Sequence, residues 1–353
     1  MRFGVGRLVT EANLMESPKK LRIAIDAMGG DYAPEREIAG AVEALRTSNE
    51  KFEIILVGDE QAIHHQLQVQ KANDLPWKVV HASQIITMED SPTAALKQKK
   101  DSSLAVGMRL HQEGKADAFV SAGNTGAVLS AATLILGRIK GVSRPTIGTF
   151  IPAEHGTCLL LDAGANVDCR VQQLYEFAVM GSIYIQLLRK KERPTIALLS
   201  VGEEKSKGSE AVVEAHKLLS ASKLNFIGNV EGRDILKAKA DVVVCDGFTG
   251  NSILKFGESV PGFLKSKLKQ FAEQGLINKI AVGLALWPLK ASLSDMDPNK
   301  EGGVPVLGVK GVTIIGHGSS TATGIKNMIL RAVEVAHTQV NRDIEAALAA
   351  PIL

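Results

Sequence analysis

Few of the residues that build disulfide scaffolds, zinc sites or nucleic-acid surfaces occur in this sequence of 353 residues. It has three cysteines, no C-x-x-C or H-x-x-x-H pair, and an excess of only three positive charges. Cys158 and Cys245 lie in apolar, strand-like runs, so we expect them to be buried as small hydrophobic residues. This usage fits a reducing cytoplasm and favours neither a metal site nor a nucleic-acid partner.

Signature motifs of three enzyme classes are missing as well. No G-x-G-x-x-G follows the first strand-like run, and no G-x-x-x-x-G-K-[ST] occurs, which argues against a Rossmann dinucleotide site and a P-loop. Ser121 is not part of a G-x-S-x-G elbow, so an α/β-hydrolase is not indicated. Residues 1–20 lack a long apolar segment, so we expect a loosely ordered extension without a signal peptide or membrane span. Met15 is an alternative translation start, which intact-mass measurement of the native protein would test.

Short apolar runs alternate with segments of helical periodicity from residue 21 to residue 348. This alternation predicts an α/β domain built on a mainly parallel sheet with helices on both faces. Ligands of such sheets bind beyond the carboxyl ends of the strands. At least six strand ends here carry small, glycine-rich or charged loops, so we expect these loops to converge along one edge and form a cleft. The predicted strands are 21–27, 52–57, 77–81, 118–120, 144–151, 157–161, 195–199, 225–230, 241–245 and 312–315, and the predicted helices include 35–46, 61–70, 93–113, 171–188, 210–219 and one that begins near residue 252.

The stretch AFVSAGNTGAVLSAA, at 118–132, joins a strand end to an alanine-rich helix through a small, polar turn. The first N–H groups of a helix are unpaired and favour an anion such as phosphate or carboxylate. A capped strand-to-helix turn without a ligand is the alternative.

Polar side chains at other strand ends allow a similar choice. Asp26, Asp162 and Asp246 directly follow apolar runs, where they would cap a helix, hold a loop, bind a metal or orient lysines. Asn251 precedes the predicted helix and is either a cap or a donor to a developing oxyanion.

Charged and apolar residues cluster at two further places. Lys97, Lys99 and Lys100 form either a solvated helix face or a docking site for an acidic partner. The segment 256–293 mixes lysines with a nearly continuous apolar run at 281–289, which is too short to span a bilayer. It predicts a helical pair that is buried in a dimer, or a basic amphipathic tip at a membrane surface, or both.

Six motifs spread over about 21–342 resemble the bacterial phosphate acyltransferase (PlsX) family. They are IAIDAMGGDYAP at 23–34, SAGNTGA at 121–127, RIKGVSRP at 138–145, LDAGANVD at 161–168, FIGNVE at 226–231 and VCDGFTGN at 244–251. The resemblance implies transfer of an acyl group from acyl-[acyl-carrier protein] to inorganic phosphate, without a metal or cofactor. It also implies a fold like that of isopropylmalate dehydrogenases and phosphate acetyltransferases, a homodimer, peripheral membrane association, and delivery of the acyl phosphate to a membrane acyltransferase that starts phospholipid synthesis. The extension before residue 21 and the arginine-poor KQKK at 97–100 depart from the family pattern, which leaves the carrier-protein docking surface open.

With this reaction in view, each motif residue receives an expected role. The turn Asn124–Gly126 and Lys207 would hold phosphate, while Asn251 and N–H groups around Thr249 and Gly250 would face the thioester oxygen. Asp162 and Asp246 would orient lysines or loops, and His317 would protonate the leaving thiolate; a solvated Lys207 and a loop histidine are the plain alternatives. The remaining expected phosphate or substrate ligands are Asp26, Gly29, Gly30, Asp31, Thr125 and Asn166.

Three other functions stay open at this point. A coenzyme A-dependent phosphate acetyl- or butyryltransferase would differ in the thioester donor that it accepts. An NAD-linked decarboxylating dehydrogenase of similar fold would form NADH. A membrane-bound scaffold for carrier protein would bind its partner without phosphate-dependent turnover.

Overall fold

The computed structural model describes residues 20–48, 51–292, 297 and 299–350. The predicted extension, including Met15, therefore lies outside the described residues except for Lys20. The described strands are β1 (Arg22–Asp26), β2 (Glu53–Gly58), β3 (Trp77–His81), β4 (Ala118–Ser121), β5 (Thr146–Ala153), β6 (Gly156–Leu161), β7 (Thr195–Leu199), β8 (Asn225–Val230), β9 (Val242–Val244), β10 (Val304–Leu307) and β11 (Val312–Ile315). The helices are α1 (Glu35–Ser48), α2 (Glu60–Val69), α3 (Pro92–Gln98), α4 (Ser103–Gln112), α5 (Thr125–Ala131), α6 (Val171–Arg189), α7 (Glu210–Ala221), α8 (Gly232–Ile235), α9 (Gly247–Ala272), α10 (Leu276–Ser292), α11 (Ala322–Ala336) and α12 (Val340–Ala349), with a π-helical turn (Ala132–Leu136) that continues α5.

All these strands join one sheet in the order β3-β2-β1-β4-β11-β10-β5-β6-β9-β7-β8. Neighbours are parallel within β3-β2-β1-β4-β11 and within β6-β9-β7-β8. The three pairs between these groups, β11–β10, β10–β5 and β5–β6, are antiparallel. The prediction of a mainly parallel sheet is therefore confirmed. Three reversals turn the second group against the first, however, so the carboxyl ends of the two groups lie at opposite edges, and the predicted convergence along one edge is wrong.

Apolar side chains cover both faces of the sheet, as the alternation predicts. In β1, Ile23 and Ile25 pack into a core cluster with α1 and α11, whereas Ala24 between them joins a second cluster with α4 and α5. Each strand residue points to the face opposite its neighbours, so a strand that is apolar at every position must be buried on both sides. The expected burial of Cys158 and Cys245 is confirmed.

Three element boundaries differ from the sequence predictions. The segment predicted as one helix at 93–113 forms α3 and α4, because the Ser102 side chain caps a new helix by accepting from the Ala105 N–H. Helix α9 begins at Gly247 rather than near residue 252, because Asp246 is its N-cap and accepts from the Thr249 N–H. Strand β10 was not predicted, and it supplies two of the three reversals.

Helices α9 and α10 pack against each other and extend away from the sheet. Only Gly247 and Gly250 of α9 are buried, and no α10 residue whose burial the structure describes is buried. The helical prediction for 256–293 is confirmed as far as Ser292. Within the described part of the chain, no helix combines the length and apolar character needed to cross a membrane.

Candidate functional site

The loops after β1, β4 and β11 meet at one edge of the sheet. The Gly316 N–H donates to the Ser121 carbonyl at 2.9 Å, and the Asp31 N–H donates to the Gly318 carbonyl at 2.8 Å. We call this group of loops the glycine cluster. Its expected ligands and their immediate partners are Asp26, Gly29, Gly30, Asp31, Ser121, Asn124, Thr125, Gly126 and His317.

Asp26 forms the floor of the glycine cluster. Its buried carboxylate accepts from the Ser121 hydroxyl at 2.8 Å and from the Met28 N–H at 3.2 Å. Burial raises the pKa of Asp26, and hydroxyl groups that include Ser121 oppose the rise. A Cβ at Gly29 would lie 2.6 Å from Oδ2 of this aspartate, so the turn can pass over the carboxylate only because Gly29 has no side chain. Among the sequence alternatives for Asp26, these contacts support the loop-holding one.

Asn124 is committed to its own loop. Its Oδ1 accepts from the Ala127 N–H at 3.1 Å, and its Nδ2 lies 3.1–3.3 Å from the carbonyl oxygens of Thr87, Met88 and Asp90. The side chain is 8% exposed and has no hydrogen left for a ligand. The expectation of a phosphate-binding Asn124 side chain is therefore wrong in this geometry. The described hydrogen bonds leave unused the N–H groups of Thr125 and Gly126 at the start of α5.

His317 lies exposed at the same edge. The Ser319 N–H donates to its Nδ1 at 3.2 Å, and the Ser319 hydroxyl lies 2.7 Å from the same nitrogen. Because Nδ1 accepts from a backbone N–H, the neutral ring carries its proton on Nε2. Nε2 is thus the nitrogen that can donate to a ligand in the glycine cluster.

Two nested turns form a second group at the opposite edge. Asp162 is fully buried, and its carboxylate accepts from the N–H groups of Gly164, Ala165 and Asn166 and from the Asn166 side chain, at 2.7–3.0 Å. Burial raises the pKa of Asp162, and these donors oppose the rise. Asn166 also donates to the Pro145 carbonyl at 2.8 Å, so both side chains hold the loop. We call this group the aspartate cluster; its expected site residues are Asp162, Asn166, Asp246, Thr249, Gly250 and Asn251.

The start of α9 completes the aspartate cluster, and its N–H groups are already engaged. Gly247 and Phe248 donate to the carbonyls of residues 166 and 167, Thr249 donates to the Asp246 carboxylate at 2.8 Å, and Gly250 donates to the Asp246 carbonyl. The expected oxyanion role for the Thr249 and Gly250 N–H groups is therefore wrong in this geometry. Asp246 is a helix cap, as one of its alternatives predicted. Asn251 is an exposed residue inside α9 rather than a cap.

Lys207 lies in an exposed loop that follows β7. From β4 to β7 the sheet order has six steps, which correspond to roughly 29 Å at ~4.8 Å per step. The loop is also at the opposite edge from Asn124. Lys207 therefore does not hold one phosphate ion together with the Asn124–Gly126 turn.

Two further sequence alternatives are decided in part. Of the three lysines at 97–100, Lys99 is half-buried and bonds to Asp90 and the Ile85 carbonyl, so it holds a loop. Lys97 and Lys100 are exposed. In the described residues, no three or more His, Cys, Asp and Glu side chains are grouped so that they could hold a metal ion.

Sequence reasoning missed two side chains of the glycine cluster. Ser121 was quoted only within its motif, yet its hydroxyl connects β4 to Asp26. Glu37, in the first turn of α1, is only 2% exposed and lies directly against Gly30. Burial is the main factor that raises the pKa of Glu37 to about 7. A strand-end serine beside a strand-end aspartate was a usable signal, whereas an acidic residue in a first helical turn usually indicates exposure.

Comparisons with known proteins agree with this architecture. A model of the family described as "Fatty acid synthesis protein" matches residues 21–343. The "Phosphate acyltransferase" of Chlorobaculum parvum is 46% identical over 337 residues, covering 93% of this chain and 99% of the relative. That of Acetivibrio thermocellus is 44% identical over 317 residues, covering 90% of this chain and 93% of the relative.

Solved structures of phosphotransacylases share the fold. A phosphotransacetylase from Streptococcus pyogenes superposes with a TM-score of 0.60 at 16% identity, over 91% of this chain and 95% of that one. A branched-chain phosphotransacylase from Enterococcus faecalis gives 0.58 at 16% identity, over 90% of this chain and all of the other. At this identity the likeness concerns the fold alone. The identity to the curated relatives, over nearly the whole of both chains, shows that this chain belongs to the phosphate acyltransferase (PlsX) family of fatty acid synthesis proteins.

Proposed function

We propose that this phosphate acyltransferase takes a fatty acyl group from acyl-[acyl-carrier protein] and transfers it to inorganic phosphate in the glycine cluster. The observation that carries the proposal is a turn with two unused N–H groups, Thr125 and Gly126, in the same group of loops as the exposed His317. Backbone N–H groups at a helix start are suited to phosphate. The family description, a fatty acid synthesis protein, favours a carrier-bound donor.

The chemistry needs no cofactor. Phosphate is already an anionic nucleophile near neutral pH, and a thiol with a pKa of ~8.5 is a good leaving group. A phosphate oxygen bonds to the thioester carbon, the C–S bond breaks through a tetrahedral oxyanion, and the thiolate takes a proton. Placing the two reactants together can supply about 7 kcal/mol or more, and an oxyanion donor about 3 kcal/mol.

The residues divide between the two clusters. Gly29–Asp31 and the Thr125 and Gly126 N–H groups bind phosphate, and His317 donates from Nε2 to the departing sulfur. Asp26 and Asn124 position these loops. Asn251 and Lys207, at the other edge, bind the carrier-linked part of the donor, while Asp162, Asn166 and Asp246 hold the loops that present them.

Acyl-carrier protein with labelled phosphate tests the reaction, and two sets of variants test the division. We expect His317→Ala to lower kcat by about tenfold or more, since it removes one proton donor. Asn251→Ala and Lys207→Ala are each expected to raise KM for acyl-carrier protein by about tenfold, with KM for phosphate unchanged. Wild-type protein without acyl phosphate formation, or with acyl-coenzyme A as its preferred donor, would refute the proposed function. Phosphate-specific effects of Asn251 or Lys207 would instead place phosphate in the aspartate cluster.

The hairpin of α9 and α10 carries a further part of the proposal, a peripheral membrane contact of a cytoplasmic homodimer. Trp287 is 80% exposed and Leu286 48%, beside exposed lysines such as Lys279. Apolar side chains among cations suit an anionic lipid surface, where a water-insoluble acyl phosphate could pass to a membrane acyltransferase. Liposome flotation of Leu286→Glu, Trp287→Glu protein is expected to lose most of the bound fraction. A Lys217→Glu variant, on the exposed side of α7, is the control, and undiminished flotation of the hairpin variant would remove the membrane contact.

A further inference from the structure

The glycine cluster holds more negative charge than a phosphate site should. Asp26 lies under Gly29, Glu37 lies under Gly30, and Asp31 is the next residue of the turn. The nearest balancing cation is Arg36, whose guanidinium stacks on Tyr32 and donates to the Ser319 carbonyl at 2.9 Å. An incoming dianion would meet up to three carboxylates, so at least one of them has to be neutral for binding to be favourable.

Glu37 is the carboxyl group whose state is not fixed by partners. Asp26 is bonded to Ser121 and Met28, and Asp31 is exposed to water. Glu37 is buried, and its Oε2 has no hydrogen-bond partner among the described residues. A buried carboxylate without donors is strongly disfavoured in its ionised form.

We propose that Glu37 is a positioning residue for phosphate: its neutral carboxyl lets the Gly29–Asp31 turn accept the anion, and its ionisation weakens phosphate binding. This inference rests on the proposed placement of phosphate in the glycine cluster. Glu37 acts through Gly30, against which its Oε1 lies, because both carboxyl oxygens are shielded from solvent by the turn.

The surroundings of Glu37 allow it to change charge near neutral pH. Burial is the main cause that raises its pKa to about 7, and the charges of Asp26 and Asp31 act in the same direction. Arg36 opposes them. Helix α11 packs against α1 near Gly40 through Ala322 and Ile325, and its Lys326 is paired with Glu43 at 3.4 Å.

The test compares KM for phosphate between pH 6 and pH 8.5 in wild-type enzyme and in Glu37→Gln, which mimics the neutral acid. The ratio of the wild-type KM to the variant KM is expected to be near one at pH 6 and to reach about fivefold at pH 8.5. Taking the ratio cancels the ionisation of phosphate itself and of every other side chain. Glu35→Gln, an exposed glutamate in the same turn of α1, should give a flat ratio.

A direct binding measurement separates this inference from the proposed function. Titration calorimetry with inorganic phosphate at both pH values, without donor, should show the same change in Kd ratio. Glu37→Met, a second neutral variant of similar length, should behave as Glu37→Gln does and substitutes for it if the amide variant does not fold. A flat ratio in an enzyme that forms acyl phosphate overturns the role of Glu37 alone. A changing Kd ratio in a protein that forms no acyl phosphate overturns the proposed reaction but not Glu37.

Discussion

Replacing Gly250 by alanine is expected to lower the free energy of unfolding by about 3 kcal/mol, at the upper end of what overpacking costs. A Cβ at this position would overlap the backbone oxygen of Asp162 and lie 3.0 Å from Sγ of Cys245. A backbone oxygen cannot rotate away as a side chain can. The methyl group must therefore push α9 off the loop that follows β6, and with it the bonds at the start of the helix.

A second glycine of the same helix provides the control. Gly257 has no atom within 4 Å of an added Cβ, so Gly257→Ala should raise the free energy of unfolding by about 0.5–1 kcal/mol, the usual gain of alanine over glycine in a helix. Guanidinium denaturation of the two variants and the wild type measures both shifts. Equal stability of the two variants would mean that α9 is not seated on Asp162 as the structure has it.

These contacts explain why the motif around residues 244–251 is rich in glycine, which the sequence alone did not reveal. Gly247 approaches Asn166 as closely as Gly250 approaches Asp162: a Cβ at Gly247 would lie 2.5 Å from the Asn166 carbonyl oxygen. Two motifs that are some 80 positions apart in the chain thus interlock. Periodicity identified the strand before each motif, but a contact between two loops has no local pattern.

The fold was predictable where the strands are apolar and bounded by turns. The bounds of β3, β7, β8 and β11 were predicted to the residue. Strand β10 was missed because it follows a polar segment and is only four residues long. That omission had a large consequence, since β10 and its antiparallel neighbours reverse half of the sheet. The rule that places ligands at the carboxyl ends of parallel strands then indicates two edges instead of one.

The candidate site was predictable in residue type but less so in role. Asn124, Asn166 and Asp246 were expected near a substrate, and the structure places each at a strand end but engages its polar atoms within its own loop. Short polar side chains bind backbone groups of nearby residues as readily as they bind ligands. Glu37 shows the converse, because nothing in the pattern of α1 distinguishes it from the exposed Glu35 two positions earlier.

Asp162→Asn is expected to cost about 3 kcal/mol of folding free energy, because an amide cannot accept the four bonds that the carboxylate accepts. One side-chain oxygen would become an NH2 group that faces N–H donors, leaving buried donors unsatisfied on both sides. Since Asp162 is fully buried, water cannot replace the lost acceptor. The loop at 163–166 should loosen, and Gly247 should lose the Asn166 carbonyl as its acceptor.

Function should follow the same loss. If the aspartate cluster presents Asn251 to the donor, Asp162→Asn should raise KM for acyl-carrier protein at least as much as Asn251→Ala does, with a smaller effect on KM for phosphate. Asp168→Asn is the matched control, because Asp168 is an exposed carboxylate of the same loop, and we expect its stability to stay within about 0.5 kcal/mol of the wild type. Denaturation curves and donor kinetics of the two variants measure both effects. Wild-type stability of Asp162→Asn would contradict the four-bond geometry, whereas a destabilised variant with unchanged donor KM would remove the aspartate cluster from substrate binding.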